Sequence, residues 1–131
     1  MILEKADISK KAVLWNLLQK YLYEFSVYYR DQVEDDGNYA YPYFDSFFTE
    51  PGREAWLIRK EGKLAGFLMM NRYSEMGEEI DFAVAEFCIL PLYRRAHLGR
   101  QAMEEIFWTH RGRWEIKYNR RNPAAEKFWI H

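Results

Sequence analysis

The stretch "EFCILPLYRRAHLGRQAMEEIF", beginning at Glu86, limits the possible folds more than any other part of the chain. It continues an apolar run, Ile80 to Leu90, whose β-branched and aromatic residues read as a central strand. Pro91 cannot donate to a sheet ladder, so pairing should end there. Helical spacing then begins at Gly99, runs through Ala102, Ile106 and Phe107, and closes at Gly112; "RWEIKYN" reads as another strand. Strand, helix and strand in that order form a crossover, which is right-handed by rule. Upstream, "AWLIRKEGKLAGFLMMNRY" holds two apolar runs around Lys60-Glu61-Gly62-Lys63, a hairpin signal with Gly62 in the left-handed turn position. A hairpin and a crossover in one chain predict an α/β fold with a mixed, mostly antiparallel sheet of about five strands flanked by helices.

The remaining segments extend this pattern. Ile2 to Ala6 reads as a short strand. "DISKKAVLWNLLQKYLYEFSVYY" reads as a long amphipathic helix with Ala12, Trp15, Leu18, Leu22 and Phe25 inward and Asp7 or Ser9 as its cap. "RDQVEDDGNYAYPYFDSFFTEPGRE" is acidic and then densely aromatic, and predicts a loop, a short helix near Tyr43 to Thr49 and another loop. Its aromatics suit core cover, and also a substrate pocket if the loop is a lid. Asn122 as N-cap and Pro123 at the first helical position open a last helix. With 131 residues and no repeat or linker, a single domain spanning residues 1–131 is expected. The balance of 19 basic against 20 acidic residues gives no global field for nucleic acid or an anionic membrane. No apolar stretch reaches the roughly 20 residues of a membrane span, and the start lacks a signal-peptide pattern, so a soluble cytoplasmic protein is expected. Cys88 is the single cysteine, which excludes an internal disulfide and a multi-cysteine metal site. No metal is expected.

The turn Arg94-Arg95-Ala96-His97-Leu98-Gly99 leads into a helix N-terminus, where unpaired N–H groups and the macrodipole favour an anion. Gly99 would let the backbone approach a ligand, and Arg94, Arg95 and Arg100 add charge. The alternative is a solvated basic turn whose arginines pair with Glu104 or Glu105. Glu86 is a carboxylate in an apolar segment, where desolvation would raise its pKa and suit it to act as a base. Its alternative is an ion pair with an arginine such as Arg113. Glu115 is a weaker candidate base.

Arg94-x-x-His97-x-Gly99 and Asn122-x-x-Ala125-x-x-Phe128, with the lead-in "FCILPLYRR" and the hairpin, resemble the GNAT superfamily of acetyl-CoA-dependent N-acetyltransferases. The resemblance covers most of the chain, including "LLQKYLYEFS" and "YPYFDSFFTEPGREAWLIR", which are similar to a bacterial subgroup. It implies a GNAT-like fold and transfer of an acetyl group from acetyl-CoA to a primary amine, directly and without a covalent intermediate. It implies that the backbones of Cys88, Ile89 and Leu90 pair with the pantetheine arm. Amides from Arg95 through Ala96, His97, Leu98 and Gly99 to Arg100 would hold the pyrophosphate, and Asn122 would contact the coenzyme. Glu86 would be the base for the incoming amine.

Three departures accompany the resemblance. His97 stands where the family has the first glycine of the turn; a side chain there is tolerated if the backbone stays right-handed, and the imidazole can instead reach the anion. Phe128 and Trp129 lack a hydroxyl where many members place the tyrosine that protonates the thiolate, so either another group serves, with Tyr118 as the candidate, or the thiolate leaves unaided. The chain stops at His131, where the family adds two strands, which predicts either association through the exposed edge, as a homodimer, or a chain shortened by truncation. A non-catalytic acyl-CoA-binding module, or a subunit completed by a partner chain, is the alternative function. The acidic segment "VEDDGNY" and nearby tyrosines would suit a cationic acceptor.

Overall fold

The computed structural model describes residues 1–117 and the helix at 123–130. Among these residues five strands, β1 (Ile2–Lys5), β2 (Arg53–Lys60), β3 (Lys63–Asn71), β4 (Phe82–Ile89) and β5 (Trp114–Ile116), form one sheet in sequence order. The first three junctions are antiparallel and β4–β5 is parallel, as a hairpin followed by a crossover requires. Lys60 pairs with Lys63 across a two-residue turn in which Glu61 (φ 52°) and Gly62 (φ 79°) are both left-handed. Two positive φ angles match the strand twist, which is why this turn closes the hairpin.

Among the described residues four helices cover the sheet: α1 (Lys11–Tyr29), α2 (Ser46–Thr49), α3 (Leu98–Thr109) and α4 (Pro123–Ile130). Asp7 accepts from the Ser9 N–H at 2.9 Å and starts a 3-10 turn that leads into α1. The buried stripe of α1 is Leu14, Leu17 and Leu18. Ala12, expected inward, is exposed: its small side chain contributes little burial, and the leucines set the rotation of the helix. The short helix expected over Tyr43 to Thr49 narrows to Ser46–Thr49, because Tyr43 itself is left-handed (φ 64°).

β3 is central, and six successive residues from Ala65 to Met70 are buried because both faces are covered. One face, with Leu57, Phe67 and Met69, packs against Leu14 and Leu18 of α1 and Phe47 of α2. The other, with Leu68 and Met70, packs against Met103 and Ile106 of α3 and takes Phe128 and Trp129 of α4 at its margin.

Two irregularities shape β4. Met69 faces Glu86 but Met70 faces Val84, so Ala85 is an extra residue that bends the strand. Pairing with β5 spans only Phe82 to Val84, whereas pairing with β3 continues to Ile89 opposite Gly66. Beyond Val84, the edge of β4 that faces β5 has no strand partner among the described residues.

Candidate active site

The α1-side face of the sheet carries a cleft of about 730 Å3 whose walls include Tyr21 and Phe25 of α1, Tyr41 and Tyr43 of the aromatic loop, and Tyr73. The two readings of the loop divide residue by residue: Phe44 and Phe47 are buried in the core, while Tyr41 and Tyr43 face the cleft. The exposed segment Val33 to Asp36 is not among the lining residues, which carry acid at Asp31, Glu75, Glu86 and Glu115 instead.

Glu86 lies on the cleft floor. The Tyr41 hydroxyl donates to its Oε2 at 2.8 Å, and the Tyr21 hydroxyl also bonds to its carboxylate. Burial pushes the Glu86 carboxyl up to about 7, against the opposing pull of these two hydrogen bonds. Burial and the neighbouring carboxylate in turn hold both tyrosine hydroxyls protonated far above their ordinary range. Arg113 is elsewhere: its N–H donates to Asp81 Oδ2 at 2.8 Å and its Nη1 to the Glu79 carbonyl at 3.3 Å. Glu115 accepts from Ser74 Oγ at 2.6 Å and from the Glu75 N–H at 3.0 Å. These bonds hold its carboxyl below the usual range, which unsuits it to act as a base near neutral pH.

The residues expected around the coenzyme gather where β4 ends and α3 begins. Cys88 is buried opposite Phe67, and burial pushes its thiol up to about 11, so it is a packed side chain and not a nucleophile. Two expectations change. The Leu90 N–H donates to the Ala65 carbonyl at 2.7 Å and the Leu90 carbonyl accepts from the Tyr93 N–H at 2.9 Å, so both its main-chain groups already have partners. Arg94 points back to α1, where Nη1 and Nη2 grip Glu24 at 2.8 and 2.7 Å while Nε donates to the Ile89 carbonyl at 2.7 Å. Its carboxylate partner is therefore Glu24 and not Glu104 or Glu105.

Arg95, Ala96, His97 and Arg100 are exposed at the turn, and Leu98 and Gly99 are buried. No side chain caps the first amides of α3. His97 is left-handed (φ 59°, ψ 15°), so the right-handed backbone set as the condition for tolerating a side chain here is not met, and Arg95 is left-handed too (φ 69°). Gly99 serves packing: a Cβ there would lie 3.0 Å from Phe128 and 3.3 Å from both Ile89 and Phe87. Phe128 and Trp129 pack against Phe87, the first tilted and the second edge-on, with ring centroids 5.5 and 5.6 Å away. Tyr118 and Asn122 lie outside the described residues.

Sequence reasoning passed over Tyr21, Tyr41 and Arg53, the last of which also lines the cleft. For the tyrosines the only signal was aromatic density. Among the described residues no group of His, Cys, Asp or Glu is arranged to hold a metal ion, and no helix is long and apolar enough to cross a membrane.

Residues 14–129 match the model of the "Acetyltransferase (GNAT) family". No curated protein shows detectable sequence similarity to the chain. Among solved structures, a mutant of the BH1408 protein from Bacillus halodurans aligns with a TM-score of 0.77 at 13% identity, over 99% of this chain and 90% of its own. The ribosomal-protein-alanine N-acetyltransferase of Brucella melitensis biovar Abortus 2308 aligns with 0.66 at 13%, covering 98% and 87%. AAC(6')-Iy, in complex with the bisubstrate analogue CoA-S-monomethyl-acetylneamine, aligns with 0.70 at 14%, covering 98% and 86%. At such identities these likenesses speak for the fold.

Proposed function

The chain belongs to the acetyltransferase (GNAT) family, and from that premise we propose that it transfers an acetyl group from acetyl-CoA directly to a primary amine held in the aromatic cleft. The observation that carries this reading is Glu86, a carboxylate on the cleft floor, gripped by tyrosine hydroxyls and poised near neutral pH. An amine must be neutral to attack, and a base whose pKa lies near the working pH removes its proton most effectively. The nitrogen forms a bond to the thioester carbon, the carbon–sulfur bond breaks, and the proton passes to Glu86 directly or through a water. The coenzyme thiolate is a tolerable leaving group, and Tyr118 is the candidate to protonate it.

Two features support the coenzyme site. The edge of β4 past Val84 has main-chain groups facing no strand among the described residues, which suits an extended amide-bearing arm. The uncapped N-terminus of α3, flanked by Arg95 and Arg100, suits a pyrophosphate. Cys88 and Ile89 remain the strand positions for the arm, with the Ile89 carbonyl shared with Arg94.

Calorimetric titration with acetyl-CoA, followed by a panel of amines assayed for free thiol, tests the proposal. Binding without thiol release for any amine would overturn it in favour of a binding module. His97→Gly should bind acetyl-CoA at least as tightly as the native chain, because glycine adopts the left-handed conformation without the roughly 1–2 kcal/mol cost of a Cβ. A tenfold loss of affinity would show instead that the imidazole contacts the anion. Tyr41→Phe removes a hydrogen bond that lowers the Glu86 pKa. The ascending limb of its kcat/KM profile should move to higher pH, with the plateau reached later than in the native enzyme.

A further inference from the structure

We propose that Arg53 reads the far end of the acceptor, so that the substrate is an amine whose tail carries a carboxylate; this rests on the acetyl-transfer reading above. Arg53 opens β2, opposite Asn71 of β3, and shares the cleft-facing side of its strand with Ala55 and Leu57. Glu86 faces Met69, two residues before Asn71 on β3. Arg53 and Glu86 therefore flank β3 on one face of the sheet, two strand spacings and two residues apart. Strand spacing and rise place their Cα atoms about 12 Å from each other. Their side chains leave room for a molecule several bonds long.

The guanidinium is built as a fixed donor. Its carbon lies 5.3, 5.3 and 4.8 Å from the ring centres of Tyr43, Phe47 and Tyr73, and only 16% of the side chain is exposed. Nε donates to Glu50 at 2.9 Å, whereas neither Nη has a hydrogen-bond partner among the described residues. A held guanidinium with its terminal donors unengaged is matched in shape by a carboxylate. The other charges in the cleft are largely committed: Glu75 to Lys117, Glu115 to Ser74, and Glu86 to its tyrosines. Tyr43 holds a left-handed backbone (φ 64°) while forming one wall of the cage, a strained conformation of the kind that collects at binding sites.

Three amines of equal length separate the possibilities: 6-aminohexanoate, hexylamine and 1,6-diaminohexane. Thiol release from acetyl-CoA should favour 6-aminohexanoate over hexylamine by about ten- to hundredfold in kcat/KM, expressed mainly in KM. Arg53→Gln should bring that ratio close to one. Arg53→Lys, which keeps the charge and most of the stem, should recover only part of it, and thermal melting of both variants shows that the fold survives. Equal or better use of hexylamine or diaminohexane, or a preference that persists in both variants, overturns the proposal. If no amine releases thiol, the acetyl-transfer reading fails by itself. Calorimetric binding of the same three compounds then decides the Arg53 site, because a carboxylate preference abolished by Arg53→Gln upholds it and its absence overturns it.

Discussion

Glu86→Gln should lower kcat by about 10²- to 10³-fold, the scale of a lost general base, while leaving the affinity for acetyl-CoA near its native value. The native profile of kcat/KM should rise with pH through about 7 as the carboxyl ionises, and the Gln variant should lose that limb. The same substitution should stabilise the protein. The folded pKa, about 7, exceeds the ordinary 4.5, so the folded state binds more protons than the unfolded one between these values. Stability therefore falls as pH rises from about 4.5 to 7, and above pH 7 the whole penalty of a buried charge is present, on the order of 3 kcal/mol. Gln carries no charge to bury. Its melting temperature should exceed the native one by up to roughly 10 °C at pH 8 and match it near pH 4.5. A variant with native kcat and an unchanged profile would remove Glu86 from the chemistry.

Gly66→Ala should produce the largest loss of stability of any single methyl addition in the sheet. A Cβ at this position would lie 2.2 Å from the Cys88 carbonyl oxygen and 3.1 Å from the Ile89 Cα. These are main-chain atoms of the neighbouring strand, and they move only if β3 and β4 separate where they are paired, Gly66 being opposite Ile89. Overpacking against backbone costs on the order of 3 kcal/mol, so the melting temperature should fall by roughly 10 °C. The displaced segment is the one that would carry the pantetheine arm, so acetyl-CoA binding measured by calorimetry should weaken as well. A variant that melts within 2–3 °C of the native chain, about 0.5 kcal/mol, would show that the strands yield more easily than their pairing implies.

Much of the fold is legible locally. The β2–β3 turn depends on two adjacent residues, and the parallel β4–β5 pair follows from a strand, a helix and a strand in order. Errors arise where the reading needs a tertiary partner. From sequence Gly99 reads as room for the backbone to approach a ligand, and only the arrival of Phe128, Ile89 and Phe87 around it shows its place in close packing. His97 and Arg95 adopt the left-handed conformation that glycine would favour, with nothing in their side chains to announce it. Arg94 finds Glu24 across 70 residues of sequence, beyond any helical or strand spacing.

The candidate base was legible because a carboxylate in an apolar strand is costly without a purpose or a partner. Its partners were not: Tyr41 lies 45 residues from Glu86, and ten tyrosines of similar chemistry stand in the chain. The sequence by itself determined the order of elements, the hairpin, the crossover and the position of one displaced carboxylate, since periodicity and turn chemistry act between near neighbours. Only the tertiary structure decided which tyrosines hold Glu86, that Arg94 faces α1, and that Arg53 shares the cleft. Those pairings depend on the register of β3 between its two neighbours and on a bulge at Ala85, and both are settled by packing across the whole sheet.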